Sequence, residues 1–371
     1  MKKTISAKGF LVRFACFAFA LLLCMGALVY AIDPYFHYHK PLADYVINDR
    51  FCMDGLIRDY DYDAALIGSS MCQNFDMDLF REQMQVSPIK AVKGGMRIEE
   101  ASLLNDLIVR TGKAKRIYLN IDLTQFNSEY LKNDYYPDYL LNDAVLDDYL
   151  YLYGYEAWMR YLPLDLLLCG LQTVGRSTPG FLKDEVDPDL IGEWQTRSKN
   201  KFRGGEYLVK SYLSTDAVKV SRQDPTGMYE RMCDRLDRFL ESGFFDPDTE
   251  YIVFLAPYSS LYWYHTMQEG YFETLCDFRE YYYTRLSAYD NVRFFDFQSF
   301  PGIENLDQYK DVTHYHKDYN DQMVGFFASG EYEIRDAEEI REGNEYLKRA
   351  VAKLLETYPE LPRQSAENPG A

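Results

Sequence analysis

The sequence is short of positive charge. Lys and Arg number 40 against 58 Asp and Glu, for a net charge of -18 at pH 7. The first 32 residues hold Lys2, Lys3, Lys8 and Arg13 and no acid, so the remainder is more acidic than the whole. Such a body argues against nucleic acid or anionic lipid as its direct partner. Cysteine is too scattered to organise anything. Of seven, Cys16 and Cys24 lie in an apolar run, and the odd set Cys52, Cys72, Cys169, Cys233 and Cys276 shows no C-x-x-C spacing. A zinc site and a disulfide framework both lack their signature, although one incidental bridge outside the cell stays open. There is no internal repeat and no low-complexity tract.

Apolar residues make up 47% of the chain, with 34 Tyr and 23 Phe. This is a globular composition, and the tyrosines serve either an aromatic core and wet surface or stacking on sugars. Residues Phe14 to Ile32 run without a charge, close to the ~20 residues a helix needs to cross a bilayer. Basic residues precede the run, so the N-terminus is expected to stay cytoplasmic and the body to be exported. Cleavage after Val29-Tyr30-Ala31 is conceivable, but the run is longer than a usual signal-peptide core and favours an uncleaved single-pass anchor. The expected division is residues 1–13 cytoplasmic, 14–32 transmembrane, 33–335 main domain with an insertion at about 126–249, and 336–371 C-terminal helix and tail. Past the anchor, Asp33-Pro34 ends the helix. His37-x-His39 shares one face if extended, but no further ligand completes a metal motif.

The organising stretch is Ala64-Ala65-Leu66-Ile67-Gly68-Ser69-Ser70. It predicts a short buried strand that ends at a glycine and delivers serine to a turn. Ligands of open α/β sheets bind past the carboxyl ends of strands, and a helix starting there would favour negative charge. Further strands are predicted at Pro88–Lys93, Arg116–Ile121, Tyr251–Ala256 and Val292–Phe297. Helices are predicted over 76–84, 98–111, 228–240, around Phe272, Leu275 and Phe278, and over 337–357. This alternation implies βαβ units, a parallel sheet and right-handed crossovers. Residues 126–249 break the rhythm. They are expected to form a mostly helical insertion over the site, with 176–225 loop-like and 359–371 frayed.

Near the C-terminal end, Asp311-Val312-Thr313-His314 lets one loop present an imidazole and the carboxylate that orients it. The histidine can accept the proton of Ser70, and Asp311 can fix its tautomer and stabilise the imidazolium. Ser69 and Cys72 are rival nucleophiles; their bland roles are turn support and buried packing. His316 is a rival base, Asp122 a turn carboxylate or substrate contact, and Arg97 and Arg203 either anion contacts or surface charge.

Leu66-Ile67-Gly68-Ser69-Ser70, Gly94 after the second strand, Pro257-Tyr258-Ser259-Ser260 after the fourth, and Tyr309 to Tyr315 with Asp311-x-x-His314 and Asn320 together resemble the SGNH/GDSL hydrolase family. The similarity is closer to its membrane-anchored branch, which includes the D-alanyl-transfer protein of teichoic-acid modification, and to the SGNH-type domains of polysaccharide O-acetyltransferases. It covers about residues 33–332, much of the insertion aside. The resemblance implies a three-layer α/β/α sandwich with a five-stranded parallel sheet of SGNH or flavodoxin-like type. It implies Ser70 as nucleophile, His314 as general base and acid, and Asp311 as orienting carboxylate, with no metal or cofactor. The backbone N–H groups of Ser70 and Gly94 would stabilise the oxyanion. The family's third oxyanion donor is an Asn in a G-x-N-D block; here the place reads Leu119-Asn120-Ile121-Asp122, so Asn120 and Asp122 stand as candidate oxyanion or substrate groups, and Asn127 as another. The expected function is an extracytoplasmic esterase or O-acyltransferase on an acylated glycan or envelope polymer, with a membrane acyltransferase as a candidate partner. The alternative is an inactive scaffold that binds such a glycan or partner.

Overall fold

A computed structural model describes residues 6–32, 53–127, 202–214 and 225–363. The chain forms two compact units, one of Met1–Asp59 with Tyr136–Asp187 and one of Tyr60–Tyr135 with Pro188–Ala371. In the first, α1 (Ala7–Ile32) and α2 (Met53–Asp59) are described. Helix α1 is long and apolar enough to cross a membrane over Ala7–Cys24. It begins seven residues before the uncharged run, because backbone hydrogen bonding continues through Lys8 and Arg13 while hydropathy marks only the apolar stretch. His37 and His39 lie outside the described residues, as do Cys52 and Cys169.

The second unit is α/β. Its strands are β1 (Ala64–Gly68), β2 (Pro88–Val92), β3 (Arg116–Asn120), β4 (Glu250–Leu255) and β5 (Val292–Asp296). They form one five-stranded sheet in the order β2-β1-β3-β4-β5, with every neighbouring pair parallel. Every residue of β1 and β2 is buried, as expected of strands covered on both faces. The order reverses between β1 and β3, so the carboxyl end of β1 is a switch point where such sheets bind ligands.

Three predicted helices keep their bounds within two residues. They are α3 (Met77–Met84), N-capped by the Asp76 carboxylate, α4 (Ile98–Thr111), and the C-terminal helix Ala337–Thr357. Helix α4 ends at Gly112 with φ 66°, a left-handed turn suited to glycine. Helix α6 (Met228–Glu241) buries Met232, Leu236 and Phe239 and packs on α8 (Phe272–Leu286). It belongs to the crossover that a parallel β3–β4 connection requires. Within the stretch expected to be a loop, α5 (Gly205–Ser214) is helical, with Gly205, Leu208 and Val209 buried on one stripe.

Two further helices, α7 (Ser260–Gln268) and α9 (Lys317–Ser329), were not expected. Every residue of α7 from Ser260 to Thr266 is buried, so no amphipathic stripe exists to reveal it. On one face of the sheet, Phe327 of α9 packs against Tyr118, Phe254 and Phe295, with ring centroids 5.4, 5.1 and 5.2 Å apart. On the other, Tyr251 hydrogen-bonds Asn105 of α4 and Tyr282 of α8 packs on Phe294. The C-terminal helix, α10, packs on α7 and α8 in the same unit. Seven of the nine largest fully buried side chains are tyrosines, so much of the tyrosine excess goes to the core. The hydroxyls of Tyr251, Tyr264 and Tyr309 act as internal struts.

Candidate active site

Gly68 ends β1 where no side chain fits. A Cβ there would lie 2.4 Å from Cys72 Sγ and 3.0 Å from Asn120 Cβ, a close approach that only glycine allows. The chain then turns twice, with Cys72 N–H donating to the Ser69 carbonyl (3.0 Å) and Gln73 N–H to that of Ser70 (3.4 Å). No helix starts at Ser70. The next one begins at Met77, as the helix predicted over 76–84 has it.

The base loop arrives after β5 through three short 3-10 turns, Phe297–Ser299, Pro301–Glu304 and Leu306–Gln308. A bridge between Tyr309 and Tyr315 closes it. It is anchored on the far side by Ser259, whose N–H and hydroxyl both donate to the Val312 carbonyl (3.1 and 2.7 Å). The buried Tyr309 hydroxyl donates to the Pro257 carbonyl at 3.1 Å. Between these anchors the loop turns on Asp311, whose Oδ1 accepts from the Thr313 and His314 N–H groups at 3.1 and 2.9 Å.

The predicted constellation comes together. Ser70 Oγ lies 2.8 Å from His314 Nε2, and His314 Nδ1 lies 2.9 Å from both Asp311 oxygens. With Nδ1–H donating to the carboxylate, Nε2 is left as acceptor for the hydroxyl proton, the tautomer that general-base activation requires. Burial works to raise the Asp311 carboxyl, but the His314 imidazole, its charge and the two N–H donors outweigh it and hold the carboxyl well below the usual carboxylate range. Asp311 therefore stays ionised across neutral pH.

That depression has a pH consequence. A carboxylate depressed on folding stabilises the fold above its unfolded value, roughly 3.9, and the stabilisation is lost as pH falls through the folded value. Asp311→Asn should then cost most near neutrality, with the gap to wild type narrowing below about pH 4. The side chain is 42% exposed, so solvent screening keeps this part of the effect under about 1 kcal/mol. Melting curves of both proteins from pH 2 to 7 check it; a gap independent of pH contradicts it.

The rivals take other roles. Ser69 is 3% exposed and its hydroxyl donates to Asp122 Oδ2 at 2.7 Å, not to a histidine. Cys72 is fully buried and its thiol is pushed up by burial and by Asp122, which disfavours the reactive thiolate. His316 caps α9 by accepting from the Asp318 N–H and packs on Phe202, 5.0 Å between ring centroids. Arg97 sits at the start of α4 with its N–H on Glu100, and Arg203 lies over the Tyr207 ring.

Gly94 falls level with Ser70 by register. Gly68 pairs with Val92, and the Lys93 N–H donates to the Gly68 carbonyl at 3.1 Å, so Ser70 and Gly94 each lie two residues past paired strand ends. Asn120 lies within β3, 1% exposed, and its amide donates to the Phe254 carbonyl of β4 at 3.2 Å. One N–H of its amide is thus spent within the sheet. Asp122 is buried and raised by desolvation, against hydrogen bonds from Ser69, Tyr258 and Asn120 and the charge of His314. Asn127 is fully buried. Among the described residues, no group of three or more His, Cys, Asp or Glu is arranged to hold a metal.

Sequence reasoning missed the ties made by Ser259, Tyr309 and Tyr315. Ser259 alone carried a signal, as the N-cap of α7, whose side chain accepts from the Tyr262 N–H. Together the fold and the site define an α/β chain with a hydroxyl, an imidazole and a carboxylate in relay at a sheet switch point. No protein-family model matches the sequence, and no curated protein matches it.

Proposed function

We propose that this chain is a serine esterase or O-acyltransferase of SGNH type, anchored by α1 with its body outside the membrane. The observation that carries this reading is the Ser70–His314–Asp311 relay across contacts of 2.8 and 2.9 Å. His314 takes the Ser70 proton as the hydroxyl attacks an ester carbonyl, then returns it to the leaving alcohol, leaving an acyl-enzyme. Water or a second hydroxyl attacks that ester in the same way, giving hydrolysis or transfer. The backbone N–H groups of Ser70 and Gly94 serve the oxyanion. The substrate is an acyl ester, acetyl or D-alanyl, of an envelope glycan or polymer, since the anchor keeps the site near material made at the membrane. A membrane acyltransferase fits as a donor partner. The sheet order and the helices on both faces suit the three-layer sandwich of that family.

Incubation with an aryl acetate should leave an acetyl-sized, hydroxylamine-labile mass increase on the peptide carrying Ser70. Its persistence in Ser70→Ala would refute the reading. A second reading, an inactive scaffold that binds a glycan or a membrane acyltransferase, is favoured by the inward-facing amide of Asn120. Equal partner recovery and equal cellular function of wild type and Ser70→Ala would support it.

A further inference from the structure

The nucleophile turn and the base loop meet at two consecutive residue pairs. Ser70 faces His314, and one residue further on the Met71 carbonyl faces Tyr315. That carbonyl accepts two hydrogen bonds, from the Tyr315 hydroxyl and the Asn320 amide, each at 3.0 Å. The Asn320 amide also lies 3.4 Å from the Tyr315 oxygen. The donors balance: one phenol proton, two amide protons, and two carbonyl lone pairs, so three contacts close a triangle. Tyr315 is 2% exposed and Asn320 0%, so removing either donor takes a hydrogen bond from a buried carbonyl. On the other side of Ser70, the Ser69 hydroxyl is held by Asp122 at 2.7 Å. The nucleophile is therefore the residue between two pinned neighbours.

We propose that Tyr315 and Asn320 are positioning residues, a two-donor clamp on the Met71 carbonyl that sets the distance between Ser70 and His314. The proposal rests on the serine-nucleophile reading above. His314 and Tyr315 share one loop, so sliding that loop against the nucleophile turn stretches both contacts together. Asn320, in the first turn of α9, ties the same carbonyl to a rigid element. Neither side chain touches reacting atoms. Their loss should therefore slow the chemical step and leave substrate binding alone.

The test uses the full chain in detergent, with 4-nitrophenyl acetate and a fluorophosphonate as probes, on Tyr315→Phe, Asn320→Leu, the double variant and Ser70→Ala. Each single variant retains one donor and should lower kcat by about fivefold; the double should lower it by about 100-fold, more than the product of the singles, as expected for a misplacement near 1 Å and for coupled neighbours. KM should stay within about twofold, and phosphonate labelling should slow in parallel. A double variant that melts cooperatively with kcat within about twofold of wild type overturns the clamp. If the double variant does not fold, the singles decide: a kcat loss above about twofold in either at unchanged KM supports the clamp, and none in both overturns it. Ser70→Ala reports separately. Residual hydrolysis and labelling there would sink the nucleophile reading, whereas an inactive Ser70→Ala beside a fully active double variant would sink the clamp alone.

Discussion

Ser70→Ala and His314→Ala are each expected to lower turnover of an ester probe by about 10⁴-fold or more, with the double variant losing little beyond either single one. Ser70 Oγ lies 2.8 Å from His314 Nε2, within the reach that proton transfer requires. Without the imidazole the hydroxyl is a weak nucleophile at neutral pH; without the hydroxyl the imidazole has nothing to activate. The two groups act as one, so their losses are not additive. Residual activity should reflect oxyanion donors alone, one such donor being worth roughly 2.7–4 kcal/mol. Steady-state assays of the three variants check this. Losses that multiply in the double variant would mean that the two side chains work separately.

The largest effect on stability is expected at the β5 edge of the sheet. Arg279 of α8 and Asp296 at the end of β5 form an ion pair with both side chains 0% exposed. The guanidinium reaches Asp296 Oδ2 through Nε at 3.1 Å and also through Nη2, and it bonds Asn344 of α10. Its Cζ lies over the Trp263 ring of α7, 5.7 Å from the ring centre. Asp296 in turn caps the first 3-10 turn of the base-loop segment through the Gln298 N–H. Arg279→Ala strands a buried carboxylate and should cost about 3–5 kcal/mol. Replacing both partners, as in Arg279→Met with Asp296→Leu, removes the stranded charge. The double variant should then be more stable than Arg279→Ala, despite losing more polar contacts. Denaturant melts of the single and double variants test the order. A double variant less stable than the single would show that the Asp296 cap outweighs the relief of the stranded charge.

Legibility followed the kind of burial each element has. Strands β1 to β5 are short apolar runs between turn residues, and helices α4 and α10 carry one-sided stripes; both patterns are visible in the chain. Helix α7 is buried on all sides, so its composition carries no stripe. In α9 the buried set Tyr319, Asn320, Met323, Val324 and Phe327 is regular, but it includes an asparagine and is interrupted by Gly325. Of the candidate site residues, Ser70, Asp311 and His314 were marked by short local motifs. The orientation of Asn120 was not, because it depends on the strand that pairs with β3.

The sequence by itself determined the alternation of strands and helices, the apolar N-terminal segment, and the two short loops that carry serine and histidine with aspartate, since each depends on residues within a few positions of one another. The tertiary structure alone decided which serine meets the imidazole, where the Asn120 amide points, and which buried hydroxyls hold the base loop. Those contacts join residues as many as 244 positions apart. At such separations a hydrogen bond is selected by the packing that removes water from around it, and no local pattern encodes that packing.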